Sequence, residues 1–231
     1  MHFVRREPPR AFQCGRDGWV TLNDCGTIQL EPDEVLALPT NTAFSYSIMR
    51  HSWGYLMTGP LDATLTEMGW TAVIAGESDS KLHLMLIAPG ADQDFRAYCA
   101  HDGIEVRHRF AGRTTAPSRP CDWHYPQPGG DKGHVVHLAA DEQVTLLGES
   151  GSEFDVTRKA WGFYGSPSFR WRMPRFNVRP ALIGNKDAVR YFCVVEAGHE
   201  AEFEASLDAA ALVLYVWCDQ PDALQSLAMI G

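Results

Sequence analysis

Hydrophobic and polar positions along the chain fall into short runs, many with a period of two. "TIQLEPDEVLALP" and, later, "VVHLAADEQVTLL" are apolar stretches broken by an acidic turn, and each reads as two short strands. "AFSYSIMRHSWG" and "SEFDVTRKAWGF" alternate along their length and predict a third strand that ends at Trp-Gly. "TAVIAGESDSKLHLMLIA" and "ALIGNKDAVRYFCVVEA" set two apolar runs around a turn rich in Gly, Asn, Asp and Ser, the pattern of a β-hairpin. In "GHEAEFEASLDAA", Phe203 and Leu207 stand at i and i+4 among acids, which predicts an amphipathic helix; "GADQDFRAYCAHDG" holds the same place earlier. "IEVRHRF" and "LVLYVW" follow as closing strands.

The series is written twice in one order. A shift of 108 residues lays 26–106 on 134–214 without a gap and makes twelve positions identical; ordinary composition gives roughly 5 by chance. Arg50, Trp53 and Gly54 fall on Arg158, Trp161 and Gly162. This pattern predicts a tandem duplication. Each copy reads as a small antiparallel sheet plus one helix, so the expected fold is α+β, with the two units packed as a pseudo-two-fold pair, a pseudo-dimer in one chain. The expected organisation is a first unit with an N-terminal arm over 1–106, a Pro/Gly-rich connection over 107–133, a second unit over 134–214 and a tail over 215–231. Trp53 and Trp161 read as architectural rings covering a sheet end, with Gly allowing close approach; stacking of a ligand is the other role open to them.

The copies part company after Trp-Gly. The first reads "YLMTGPLDATLTEMGW" and the second "FYGSPSFRWRMPRFNV", so Arg170, Arg172, Arg175 and Arg179 replace Asp62, Thr64, Glu67 and Thr71. Pro174 opposes a continuous helix there. An ordered loop carrying these arginines among Phe169, Trp171 and Phe176 has the chemistry to hold a small anionic ligand, because guanidinium forks grip carboxylate or phosphate while aromatic faces stack the remainder. Arg170, Arg172, Arg175, Arg179 and Trp171, with Trp161 and Tyr164 beside them, are the expected ligand-binding residues. Docking of the arginines against acids of the first copy or of a second subunit, and plain solvation, are the competing fates.

Composition narrows the classes. A hydrophobic share of 45% and a formal charge of −9 describe a globular chain with a real core and little attraction for nucleic acid or an anionic membrane. No run approaches 18 apolar residues, and "MHFVRREPPRAF" is charged and Pro-rich rather than a signal peptide, so a cytoplasmic protein with reduced thiols is expected. Cys121, His124, His134 and His137 carry zinc-ligand chemistry, but i and i+3 on a strand point to opposite faces, and no metal is expected. No phosphate loop, dinucleotide fingerprint, nucleophile elbow or zinc-protease motif occurs, so no cofactor is expected. The reading that results is a non-catalytic binding or assembly protein, with a small anionic ligand, a protein partner or a second copy as its partner. A small enzyme or accessory subunit acting on an anionic sugar, phosphate or nucleotide-sugar is the alternative.

Overall fold

A computed structural model describes residues 1–40, 44–57, 61, 63–79, 81–110, 131–149, 151–166, 168–169, 173–185, 188–223 and 225. In chain order its elements are β1 (His2–Cys14), β2 (Val20–Gln29), β3 (Val35–Pro39), β4 (Ser45–His51), β5 (Gly54–Met57), the short helix α1 (Ala63–Glu67), β6 (Thr71–Gly76), β7 (Leu82–Ile87), α2 (Asp92–Asp102), β8 (Glu105–Arg109), β9 (Gly133–Val135), β10 (Glu142–Leu147), β11 (Glu153–Lys159), β12 (Gly162–Ser166), β13 (Val178–Asn185), β14 (Ala188–Glu196), α3 (Glu200–Ala209) and β15 (Val213–Trp217).

Two large mixed sheets hold these strands. The first runs β1-β2-β10-β11-β12-β7-β6-β8 and the second β15-β13-β14-β5-β4-β3-β9. The α+β expectation of two sheet-plus-helix units set as a pseudo-two-fold pair is therefore overturned. Strands hold 52% of the described residues against 18% in helices, and neither half of the chain builds a sheet of its own. The strands β3, β4 and β5 join β14, β13 and β15, whereas β10, β11 and β12 join β7, β6 and β8. Local periodicity predicts each strand but says nothing about which distant strand it meets, and that is where the expectation failed. Element positions nonetheless recur 108 residues apart, as in β4 and β11, and β2 runs parallel to β10 as β9 does to β3.

Alternation assigns each strand two faces. Tyr46 and Ile48 of β4, with Phe154 and Val156 of β11, point between the sheets, into a core shared with Ile28, Leu84, Phe163, Phe192 and Val194. The opposite faces carry the helices. α3 seats Phe203 and Leu207 on Val35, Met49, Leu56, Cys193 and Trp53 of the second sheet. α2 seats Phe95 and Cys99 on Val73, Met85, Ile87 and Trp161 of the first. At the edge of the first sheet β1 is largely exposed, carries Arg5, Arg6, Pro8, Pro9 and Arg10, and shifts register against β2 between Arg5 and Arg10.

The repeated Arg-x-x-Trp-Gly-aromatic phrase now has a physical account. It spans a tight hairpin in which Arg50 faces Tyr55, and Arg158 faces Phe163, across neighbouring strands. Each guanidinium lies over its partner ring, 4.9 Å from the Tyr55 centroid and 4.8 Å from that of Phe163. Trp53 and Trp161 turn to the helix side, both buried. Gly54 and Gly162 sit at φ 145° and 151°, where a Cβ would collide with the carbonyl oxygens of Val194 and Leu86. Both tryptophans thus have a packing role between sheet and helix.

The two hairpins differ in charge pairing. Arg158 Nη1 donates to the Gly162 carbonyl at 3.1 Å. Arg50 instead meets Glu196 at 2.7 Å, with both side chains at most 2% exposed. The contact lies off the hydrogen-bond axis, since Arg50 Nη1 makes no aligned bond among the described residues. Tyr55 Oη donates to the Leu147 carbonyl at 2.9 Å and ties the second sheet to the first beside this pair. Removing one partner strands a buried charge. Glu196→Ala is expected to cost about 3–5 kcal/mol and to lower the melting temperature by about 2–4 °C per kcal/mol. An Arg50→Met, Glu196→Leu double variant should recover most of that loss in the same thermal scan.

His51 stacks on Trp53 with ring centroids 4.7 Å apart and planes 7° from parallel. Burial, offset in part by Asp33, pushes its pKa from 6.5 down to about 4. The folded state keeps this ring neutral while the unfolded chain protonates it, so stability is full above pH 6.5 and declines as the pH falls from there to about 4. Urea titrations across that window should show a shallower pH dependence for His51→Phe than for the parent chain.

Candidate functional site

The outer faces of the two sheets are built from corresponding positions with opposite chemistry. On the second sheet, Val35, Met49 and Leu56 are buried and packed with α3. On the first, the residues 108 positions later are Gln143, Thr157 and Tyr164, and His83 stands where the second sheet has Tyr191. β10 and β11 read Glu-Gln-Val-Thr-Leu-Leu and Glu-Phe-Asp-Val-Thr-Arg-Lys, so their outward positions form a polar stripe from Gln143 to Lys159. α2 leaves this stripe uncovered, because it lies over β6 and β7.

The result is a cavity of about 270 Å³. It is lined by the polar stripe with His83 and Tyr164, by Tyr98 and Asp102 of α2, and by Phe12, Cys14 and Gly15 at the end of β1. Beyond Tyr98 and Lys159, which belong to both spaces, opens a cleft of about 550 Å³ between α2, the start of β2 and the Trp161 turn. Past Phe12, Gln143 and Asp155 on the other side, a groove of about 220 Å³ runs out toward Arg10, Asp24 and Phe176. The three spaces share these border residues and together are called the trough.

Hydrogen bonds fix the polar groups. Thr157 Oγ1, fully buried, donates to Gln143 Oε1 at 3.0 Å, and the Gln143 amide nitrogen has no partner among the described residues. Thr145 Oγ1 donates to Asp155 Oδ1 at 2.7 Å. His83 Nδ1 lies 3.0 Å from the Gly165 carbonyl, which requires the proton on Nδ1; Nε2 is then the acceptor for the Tyr164 hydroxyl at 3.2 Å. Lys159 Nζ contacts Asp141 Oδ1 at 2.5 Å and lies 5.4 Å from the Tyr98 ring centre. Asp102, 5% exposed, accepts from Trp19 Nε1 at 2.6 Å and from the Arg16 amide at 3.0 Å, which anchors the turn at Arg16–Gly18 to the end of α2. Trp19 also packs on His101, with ring centroids 4.0 Å apart.

Titration properties limit the chemistry. Burial pushes the Tyr98 hydroxyl far above its ordinary range, so it stays a neutral donor and acceptor, and it makes no hydrogen bond among the described residues. Burial also raises the Cys14 thiol, opposed by Lys159, so the reactive thiolate is disfavoured. No cluster of three or more His, Cys, Asp or Glu side chains is arranged to hold a metal among the described residues. His134 is bonded to Glu34 at 2.8 Å and His137 is exposed, while Cys121 and His124 lie outside the described residues.

The residues expected from sequence to bind a ligand are divided. Trp161 and Tyr164 belong to the trough, Trp161 lining the 550 Å³ cleft and Tyr164 the inner cavity. Arg179 faces away on β13 of the second sheet: it bonds Asp219 at 2.7 and 3.2 Å, approaches Glu200 at 3.6 Å and lies 4.1 Å over the Trp217 ring. Arg175 is exposed in the turn Met173–Phe176, whose Phe176 borders the outer groove. Arg170, Trp171 and Arg172 lie outside the described residues. Gln143, Thr157, His83, Tyr98, Asp102 and Trp19 were not anticipated. The signal was present in β3 against β10: Val-Leu-Ala-Leu is apolar on both faces, whereas Gln-Val-Thr-Leu keeps one face polar.

Thr157→Val leaves the buried Gln143 oxygen without its donor and is expected to cost about 1–3 kcal/mol in chemical denaturation. Asp155→Asn keeps an acceptor for Thr145 and should stay within about 0.5 kcal/mol of the parent.

Among the described residues no helix is long and apolar enough to cross a membrane. Comparison with protein-family models, with curated proteins and with solved structures returns no match, and the chemistry of the trough is the guide to function.

Proposed function

We propose that the chain is a binding protein whose small-molecule ligand lies in the trough over the first sheet. The observation that carries this reading is the Gln143 amide, which is held at its oxygen by Thr157, lines the cavity and makes no hydrogen bond through its nitrogen among the described residues. An amide N–H group that faces a cavity with no protein acceptor is a donor that a ligand acceptor can take up. The Tyr98 hydroxyl offers a second such group.

Charge sets the ligand class. Glu77, Asp94, Asp102, Asp141 and Asp155 line the inner cavity and the cleft against only Lys81 and Lys159. An anion would enter against that field, so the ligand is neutral or cationic and hydrogen-bonding. The anionic ligand expected at the arginine segment draws no support from Arg179, whose charge is already met by Asp219 and Glu200. An enzymatic reading has one observation behind it, the His83–Tyr164 pair, which could pass a proton; a thiol held in its protonated form gives no nucleophile beside it.

Saturation-transfer NMR with a panel of small amides, polyols, amines and carboxylates tests the reading. Amide, polyol or amine probes are expected to bind, with affinity at least tenfold weaker in Gln143→Leu and in Tyr98→Ala, and with both variants melting within a few degrees of the parent. Probes that bind but ignore both substitutions, or a preference for carboxylates, would overturn the assignment.

A further inference from the structure

We infer that the 550 Å³ cleft is a subsite for an organic ammonium group, the charged end of a ligand whose neutral polar part lies in the inner cavity. The inference rests on the binding reading above and names the ligand's charged group. Four observations combine.

The first is aromatic. Trp19 is 44% exposed, and its ring is held by the Asp102 bond on its edge and by His101 against it. Tyr98 follows at 5.9 Å and packs in turn on Trp161 at 5.2 Å, so three rings line one side of the space. Exposed indole and phenol faces attract cations through their quadrupoles and do not attract anions.

The second is electrostatic. Asp94 and Asp141 stand at this cleft, with Lys159 the one Lys or Arg in its lining. The third is an internal precedent: the Lys159 ammonium already sits between the Asp141 carboxylate and the Tyr98 face. The chain thus displays the mode of binding with its own side chain, and Asp94 and the part-exposed Trp19 border the same cleft. The fourth is the contrast with the other sheet. At the positions of Tyr98 and Lys159 it carries Ser206 and His51, and there the His51 ring stacks on Trp53. The second sheet thus lacks, at the corresponding positions, the phenol face and the ammonium group that border this cleft. Its volume lies within the range of small-molecule sites.

Choline and its neutral isostere 3,3-dimethyl-1-butanol differ only in the charge of the quaternary centre. Binding of each is read by isothermal titration calorimetry and by chemical-shift changes of the Trp161 indole N–H in the full chain. Choline is expected to bind at least about tenfold more tightly than the isostere, the ratio that a cation–π contact of ordinary strength supplies. Trp19→Leu should remove most of that ratio, whereas Trp19→Phe should keep much of it. Asp94→Asn should weaken choline severalfold and leave the isostere unchanged. Equal affinity for the two probes overturns the ammonium assignment. So does failure of choline to bind while amide or polyol probes still occupy the inner cavity, an outcome that leaves the binding reading standing. If no probe of any class shifts resonances of the trough, both inferences fall together.

Discussion

Two backbone contacts hold the architecture together, and neither leaves room for a side chain. Where β5 meets β14, and where β12 meets β7, a glycine of the Trp-Gly pair lies against the neighbouring strand so closely that any Cβ would strike a carbonyl oxygen. The same bond closes each seam: Trp53 accepts from the Glu196 amide at 3.0 Å, and Trp161 from the Ala88 amide at 2.8 Å. Without these seams the first sheet would split into β1-β2-β10-β11-β12 and β7-β6-β8, and the second into β15-β13-β14 and β5-β4-β3-β9. The buried tryptophans beside the seams give the helices α2 and α3 their footing.

A division between the two outer faces follows from this framework. Both faces receive a helix over the hairpin strands, but only the second sheet continues its apolar surface onto β3, β4 and β5. The first sheet turns polar at the equivalent strands and so holds an open trough where the other holds core. The difference arises from a handful of outward positions in β10, β11 and β12. A polar stripe on an otherwise two-sided buried sheet is a stability sacrifice, and its hydrogen-bonded, partly unpartnered groups fit a surface shaped for something other than packing.

Much of this was legible in the sequence at the level of single elements. The hairpins, the amphipathic helix at Phe203 and Leu207, and the turn at Trp-Gly all follow from local period and turn chemistry, which act over a few residues. The exchange of strands between halves does not, since Gly54 and Val195 meet across more than a hundred residues and nothing local encodes that meeting. The trough was half legible. Trp161 and Tyr164 were marked because they adjoin a divergent loop, but charge drew attention to Arg179, which the fold pairs with Asp219. The informative pattern was quieter: Gln143 and Thr157 stand where Val35 and Met49 would be, a loss of hydrophobicity rather than a gain of charge.

The interleaving has a consequence in time. As the chain is made, β3, β4 and β5 emerge long before β14, and β7 before β12. The first half therefore leaves the ribosome with glycine-marked strand edges that have no partners yet. Burial of Trp53 must wait for Phe203, and neither sheet can close until most of the chain exists. Folding is thus tied to completion of synthesis, with a long interval in which unpaired, apolar edges are exposed to other chains. A truncation that removed only β14 would leave β5 open at its seam, so damage near the C-terminal end would be felt first in strands made at the beginning.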